Sequence, residues 1–511
     1  MIRVRRAGLV SFSVKLISIF TGLAFVVLIT SNVSTNEFAL WNLIGSTLVY
    51  ILFPTFIINF WATRARARGQ LVARTVLIAT LIFAAILTVL FVIVSFPSSG
   101  FMVQAASQHS NLFFFLLSSP QVLLYTFVGG MEAMLWGSSP EKQMFGYGAF
   151  EIAKIVIGLA AFAVFRLGLE GAILAVMGAQ ILQLCVILFY TRNEYSAPFS
   201  LSTLKMWFKS GWPSVFQNLH PMILNLDLVI VAIFIPKAVN FLVIDYFAAA
   251  RVIASVVGYS DSLALGLYPS ILSGQDPSEK SNRVLELQLM IIAPMLVGAI
   301  ILSHRLLTLF NPVYSRGWII VIPLAVSYVF YSLRPLVEGV ILGSEKVDLG
   351  EKMTLKQYFK SKLFLVSKID LTTSVGYLAS VVIFCIILAD YTSITFLGLS
   401  GLVIIGIVWG VTNLGRSAVT FALKTNYAHK IAHLVIPAKT VIATIIGTVI
   451  FGFSLWMLNQ LSFLQPSGGK ILQASELLAV AVMALIVYFA VLYALNESTR
   501  KLMRAIVEYI L

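Results

Sequence analysis

Charged residues and cysteines are scarce in this chain. Only 11% of its 511 residues are Asp, Glu, Lys or Arg, and it has two cysteines. Soluble domains carry about 25% charged residues, so this charge content excludes a water-soluble protein. Cys185 and Cys385 both lie inside apolar runs, so the sequence indicates neither a disulfide framework nor a thiolate metal site.

Apolar residues are abundant instead, at 59% of the chain. A bilayer core about 30 Å thick is crossed by about 20 apolar residues in a helix, and the apolar runs predict fourteen such spans. These cover residues 9–29, 39–60, 72–95, 112–134, 147–165, 171–190, 212–234, 241–264, 286–303, 317–342, 369–389, 397–421, 437–457 and 474–495. We therefore expect an all-α polytopic membrane protein without a separate soluble domain.

The basic residues predict the orientation of these spans. Of the 35 lysines and arginines, 25 fall in segments on one side of the predicted membrane or within three residues of them, five in loops on the other side, and five deeper within spans. Cytoplasmic loops are enriched in Lys and Arg, so we expect both termini in the cytoplasm of a plasma or inner membrane. The net charge of +14 then favours anionic lipid, not nucleic acid, as the partner of the basic loops.

The chain also contains an internal repeat. Tyr125 and Glu132 in span 4 are seven residues apart, as are Tyr331 and Glu338 in span 10, which gives an offset of 206 residues. The turn LGLEG at 167–171 returns as LGLSG with an offset of 230. The difference of 24 indicates an insertion before span 11, where a basic segment lies near 347–368.

This repeat predicts two lobes of six helices each. We place the N-lobe at 1–200 and the C-lobe at 201–436, with two further helices and a cytoplasmic tail at 437–511. A repeated unit with an even number of spans keeps its orientation, so the lobes should be related by a pseudo-two-fold axis along the membrane normal. In such architectures the substrate site lies near the midplane.

Motifs for catalysis or cofactor binding are missing. The chain has no nucleotide-binding P-loop, and the His429–His433 pair has a lysine where a zinc protease carries its general base. We therefore expect a protein that is not an enzyme and has no resident cofactor or metal.

Ionisable residues inside spans are the candidate functional residues, because each is costly in hydrocarbon without a partner or a cavity. Arg251 lies deep in span 8 and Asp227 lies mid-span in span 7. The two side chains either pair with each other across the helices or face an aqueous cavity, where the guanidinium of Arg251 would bind a phosphate.

Three further basic residues could widen that surface, and each has a structural alternative. Lys15 can extend towards the membrane surface, Lys154 can pair with Glu151, and Arg334 can pair with Glu338 four residues on. Glu132 and Glu338 occupy equivalent repeat positions. Together with Asp227 they are candidates either to carry a coupling proton or Na⁺ or to support the packing of the lobes.

Spans 7 and 8 carry a family resemblance. They combine Pro213 and Asp227 with IDYFAAARVI at 244–253 and LALGLYPSIL at 263–272. NEFALWNLI at 36–44 and LGLEGAILA at 167–175 add to it. The chain resembles the polysaccharide flippase branch, the O-antigen transporters, of the multidrug/oligosaccharidyl-lipid/polysaccharide (MOP) exporter superfamily.

This resemblance implies a transporter that moves a polyprenyl-phosphate- or pyrophosphate-linked oligosaccharide from the cytoplasmic to the outer leaflet. It implies a cationic cavity for the headgroup, with Arg251 at the matching position and Lys15, Lys154 and Arg334 as further candidates. Polysaccharide polymerases and glycosyltransferases are the implied protein partners. The alternatives are an ion-coupled multidrug or metabolite antiporter of the same superfamily and a non-transporting scaffold of a polysaccharide assembly complex.

Overall fold

A computed structural model describes residues 4–100, 110–236, 239–345, 355–392, 395–396, 398–436, 438–460, 470–497 and 499–500. Most of the predicted cytoplasmic tail and part of the basic insertion, 347–354, lie outside the described residues.

The described residues are almost entirely helical. The helices are α1 (Val4–Asn32), α2 (Thr35–Leu52), α3 (Thr55–Ala67), α4 (Ala73–Ser98), α5 (Asn111–Ser138), α6 (Pro140–Leu159), α7 (Leu169–Thr191), α8 (Leu201–Lys209), α9 (Trp212–Leu224), α10 (Leu226–Phe234), α11 (Asn240–Ser255), α12 (Leu267–Leu272), α13 (Pro277–Phe310), α14 (Val321–Gly343), α15 (Leu355–Lys360), α16 (Lys362–Leu388), α17 (Gly401–His429), α18 (Ala438–Gln460) and α19 (Lys470–Leu495).

The number of membrane-crossing helices agrees with the hydropathy. Within the described ranges, thirteen helices are long and apolar enough to cross a membrane, and one bent pair raises the number to fourteen. In that pair α2 and α3 meet at an angle of 61° around Pro54, because proline lacks the N–H that would continue the helix. The expected all-α polytopic membrane fold is confirmed.

Three predicted spans differ in detail. The span at 212–234 is interrupted at Asn225, where α9 ends and α10 begins, shortly after Pro221 inside α9. The span at 241–264 is α11 followed by a 3₁₀ segment, Val256–Ala264. The span at 397–421 continues as α17 to His429, so the last two turns of this helix extend beyond the apolar run that predicts it.

The helices form two compact units. The first contains Met1–Met222, Leu265–Gln275 and Ile341–Leu371. In it, α4 and α3 pack on α5, and α1 and α7 pack on α6. Its core is made of large apolar side chains, including Phe91, Phe114 and Met131, which are fully buried.

The second unit contains Ile223–Ala264, Asp276–Val340 and Thr372–Leu511. Here α13 packs on α18, α18 packs on α19, and α11 packs on α17. A two-residue antiparallel pair precedes α17, with Thr395 opposite Ser400 and Phe396 opposite Leu399. Gly398 lies in its turn at φ 75°, a left-handed conformation that glycine adopts without strain.

Candidate functional site

A basic pocket lies between α14 and α17 of the second unit. It is a cleft of about 320 Å³, part of which is open to solvent. Its lining is Phe330, Tyr331, Arg334, Val337, Arg416, Ser417, Thr420, Phe421 and Lys424. Spacings of three, four and seven residues place side chains on one face of a helix, so one face of α14 and one face of α17 form the walls. Three of the nine lining residues are basic, and three are aromatic.

Glu338 links two of the pocket's basic residues. The Arg334 Nε and the Lys424 Nζ both donate to the same carboxylate oxygen, Glu338 Oε1. Only 1% of the Lys424 side chain is exposed, against 19% for Arg334 and 18% for Glu338. The sequence left open whether Arg334 pairs with Glu338, and the structure contains this pair. It adds Lys424 as a second cation on the same carboxylate.

Arg416, the third basic residue of the pocket, lies against polar side chains of its own unit. Its guanidinium carbon is 5.7 Å from the centre of the Tyr377 ring, and its Nη2 donates to Ser417 Oγ at 3.2 Å. Ser417 Oγ is 2.8 Å from Ser327 Oγ. These contacts fix the guanidinium at the wall of the basic pocket.

Asp227 is buried in a hydrogen-bonded network next to Arg416. Its Oδ2 accepts from the Tyr377 hydroxyl at 2.7 Å and from Trp409 Nε1 at 3.2 Å. The Trp409 indole stacks on Phe247 with ring centres 3.7 Å apart. Tyr377 therefore touches both Asp227 and Arg416, so the Asp227 network and the basic pocket are neighbours in the second unit.

Arg251 belongs to the same surroundings and does not form a direct ion pair with Asp227. Its guanidinium interacts electrostatically with Tyr328 and Asp227. The direct donors to Asp227 are the neutral groups of Tyr377 and Trp409 and the backbone N–H of Leu228.

Lys154 lies in a buried ion pair of the first unit. Its Nζ is 2.8 Å from Glu151 Oε2, one helical turn away on α6. The Thr21 hydroxyl of α1 donates to the same oxygen. The ammonium also lies 5.6 Å from the Phe25 ring centre and 5.2 Å from that of Phe150. The structure thus contains the Glu151–Lys154 pair that the sequence offered as the alternative to phosphate binding.

The two remaining predicted residues, Lys15 and Glu132, are also in the first unit. Lys15 is a partly exposed residue of α1, the helix that packs on α6. Glu132 Oε1 accepts from Gln183 Nε2 at 2.8 Å. Its repeat counterpart Glu338 is held by two cations, so equivalent positions have different chemical surroundings.

Sequence reasoning missed two residues of the basic pocket. The predicted span 397–421 contains Arg416 and ends before Lys424, whereas α17 contains both residues. Their separation of eight residues, with Thr420 between them, is two helical turns and puts them on one face. This spacing is the sequence signal for a shared helix face, but it indicates one only if the helix continues beyond residue 421, where the predicted span ends.

Metal binding by acidic, histidine and cysteine side chains finds no support in the described part of the chain. No group of three or more His, Cys, Asp or Glu side chains there is arranged to hold a metal ion. The sites above are therefore made of basic, amide, hydroxyl and single carboxylate groups.

Comparison with solved structures identifies the fold. No family model and no curated protein matches the chain. An outward-facing multidrug resistance MATE family transporter of the MOP superfamily is 17% identical, covering 84% of this chain and 96% of that one, with a TM-score of 0.59. A MOP superfamily transporter from Pyrococcus furiosus Vc1 (DSM3638), described by the reverse polarity of its binding pocket, has the same identity and coverage and a TM-score of 0.60.

A third structure, an inward-facing multidrug resistance MATE family transporter of the MOP superfamily, is 15% identical. It covers 83% of this chain and 98% of that one, with a TM-score of 0.54. The chain thus has the fold of these structures over most of its length.

Proposed function

We propose that this chain is a MOP-type transporter that moves a polyprenyl-phosphate- or pyrophosphate-linked oligosaccharide from the cytoplasmic to the outer leaflet of a cell membrane. The basic pocket is the observation that carries this proposal. Arginine binds phosphate through two parallel charge-assisted hydrogen bonds, and the pocket presents Arg334 and Arg416 together with Lys424. Such a surface suits an anionic headgroup and repels an organic cation.

The remaining parts of the proposal follow from the transport problem. The phosphate must leave water while the prenyl tail stays in lipid, so basic side chains have to replace water around the headgroup. We propose alternating access as the mechanism, with H⁺ or Na⁺ as the coupling ion. Arg251, Lys15 and Lys154 remain predicted headgroup ligands, and Asp227, Glu132 and Glu338 remain predicted ion-coupling or packing residues. Polysaccharide polymerases or glycosyltransferases are the protein partners that fit this role.

A second candidate function is an ion-coupled multidrug antiporter. Two of the similar structures are described as multidrug resistance MATE family transporters, which favours it. The charge of the pocket distinguishes the two candidates, because an antiporter of organic cations needs acidic side chains to hold its substrate. The Pyrococcus furiosus transporter is described as having a pocket of reverse polarity that suggests a different function, which supports variation of pocket charge within this fold.

Leaflet transfer in proteoliposomes tests the proposal. We expect the wild-type chain to move a polyprenyl-pyrophosphate oligosaccharide between leaflets and Arg416→Gln to lower the rate about tenfold or more, because a charge-assisted hydrogen bond contributes about 1.5–3 kcal/mol. Lys430 is an exposed residue after the end of α17, and Lys430→Gln is the matched control. Its transfer rate should stay within about twofold of the wild-type rate, because an exposed charge contributes little.

The outcome separates the two candidates. Equal rates for Arg416→Gln and Lys430→Gln would remove the basic pocket from the mechanism. Absence of transfer for several saccharides, combined with wild-type efflux of an organic cation such as ethidium, would favour the antiporter.

A further inference from the structure

The basic pocket contains its own internal anion. Glu338 Oε1 accepts from both Arg334 and Lys424, which are two of the three basic residues that line the pocket. The carboxylate therefore occupies donors that an entering phosphate would need. A carboxylate and a phosphate oxygen compete for these donors because both accept charge-assisted hydrogen bonds from guanidinium and ammonium groups.

The charges around Glu338 make this competition energetically reasonable. One carboxylate holds two cations at short range, and removing it without replacement would strengthen the repulsion between them. An arriving phosphate supplies at least the same negative charge and more acceptor oxygens. It can take over the donors as the carboxylate leaves, so the exchange keeps the cations paired throughout.

The repeat shows that this arrangement is particular to one position. Glu132, equivalent to Glu338, accepts a hydrogen bond from the amide of Gln183 and forms no ion pair with the described residues. The repeated architecture therefore does not explain why Arg334 and Lys424 contact Glu338. These two cations belong to the pocket that lies beside Glu338.

We propose that Glu338 is an exchangeable counter-ion of the basic pocket, displaced when a phosphate or pyrophosphate group binds Arg334, Arg416 and Lys424. This exchange rests on the proposed function, because it concerns the same pocket and explains how that pocket releases its ligand. Return of the carboxylate to Arg334 and Lys424 displaces the phosphate while both cations keep a negatively charged partner. Glu338 thus lowers the affinity of the pocket so that a tightly held headgroup can leave.

Inorganic pyrophosphate binding to the purified full-length chain tests this exchange, measured by isothermal titration calorimetry. Glu338→Gln removes the competing charge and keeps the side-chain shape, so we expect it to bind pyrophosphate about tenfold tighter than the wild type, the value of one charge-assisted contact. Glu279→Gln, which removes an exposed carboxylate outside the pocket, is the control and should leave the affinity unchanged. Arg416→Gln should weaken binding about tenfold.

The sign of the Glu338 effect decides the proposal. Weaker or unchanged pyrophosphate binding by Glu338→Gln would show that the carboxylate builds the pocket or has no part in it, and would overturn the exchange. If Glu338→Gln does not fold, Glu338→Asp, whose shorter side chain holds the two cations less closely, should also bind tighter. Tighter binding without leaflet transfer of any saccharide would support the exchange and contradict the proposed flippase function.

Discussion

Ionisable side chains inside the helices are neutralised partly by neighbours one turn away. Lys154 pairs with Glu151 and Arg334 pairs with Glu338, at the spacings of three and four residues that bring helical side chains together. These pairs could be predicted from the sequence because the partner lies on the same helix. Lys424, which reaches Glu338 from 86 residues away, could not, because no local pattern records contacts between helices.

Asp227 illustrates the same limit. Its depth within an apolar span marked it as a candidate, since a charged group there requires partners. The partners are Tyr377 and Trp409, which lie 150 and 182 residues further along the chain. The sequence therefore predicts that the Asp227 carboxylate has a partner and suggests Arg251 for that role. The neutral donors that contact it directly are determined by the packing of α16 and α17, which the sequence does not show.

The Glu151–Lys154 pair gives a prediction for single residues. Glu151→Gln leaves the buried ammonium of Lys154 without its carboxylate, and we expect it to lower the free energy of unfolding by about 3–5 kcal/mol. The double variant Glu151→Gln/Lys154→Met removes both charges and should recover much of that loss. Thermal unfolding of the purified chain in detergent measures both effects.

An exposed pair supplies the comparison for this measurement. Arg283 and Glu279 form an ion pair whose side chains are 70% and 56% exposed, so Glu279→Gln should change stability by less than about 1 kcal/mol. Equal losses for Glu151→Gln and Glu279→Gln would contradict the view that burial makes the first pair important.

Helices are where sequence and structure agree best. An apolar run of about 20 residues in a membrane protein has to be a helix, because lipid offers no partners for backbone N–H and C=O groups. The bends were harder to predict. The proline at 54 marks the break between α2 and α3, but the 61° angle depends on what the two segments pack against. The 3₁₀ segment at 256–264 has no proline, and its Gly258 and Ser260 weaken an α-helix without predicting the 3₁₀ form.

Close helix packing at Gly137 gives a prediction for the element scale. This residue of α5 lies so near α3 that a Cβ atom there would come within 2.9 Å of Arg66 Cβ and 3.1 Å of the Ala67 backbone nitrogen. Gly137→Ala must push the two helices apart, which we expect to cost about 1–3 kcal/mol in the free energy of unfolding. Thermal unfolding in detergent is again the measurement.

Gly45 provides the control for that substitution. It lies inside α2, and a methyl group added there would meet no heavy atom of a neighbouring element within 4 Å. Gly45→Ala should therefore raise stability by up to about 1 kcal/mol through helix propensity alone. A loss of stability in Gly45→Ala as large as that in Gly137→Ala would show that the close approach to α3 is not the cause.

The whole molecule is organised by the apolar surface that its helices present outwards. Val449 on α18 and Ile486 on α19 are 67% and 64% exposed, as expected for side chains that face lipid. Such surfaces constrain the pattern of apolar residues and leave the individual residues free. This explains why the fold matches solved structures at 15–17% identity. The apolar pattern does not constrain the charges of the pocket, so it does not predict them.

Orientation in the membrane is the prediction that belongs to the whole chain. The excess of basic residues on one side places the start of α8 in the cytoplasm and the end of α1 outside. Ser31 and Ser202 are exposed residues at these two places, so a cysteine at either one reports the side it faces. In a background without Cys185 and Cys385, a membrane-impermeant maleimide should label Ser31→Cys in intact cells and Ser202→Cys only after permeabilisation. Labelling of Ser202→Cys in intact cells, with Ser31→Cys protected, would contradict this orientation. The basic segments would then face away from the compartment in which the lipid-linked saccharide is expected to be made, and the proposed direction of headgroup transfer would be reversed.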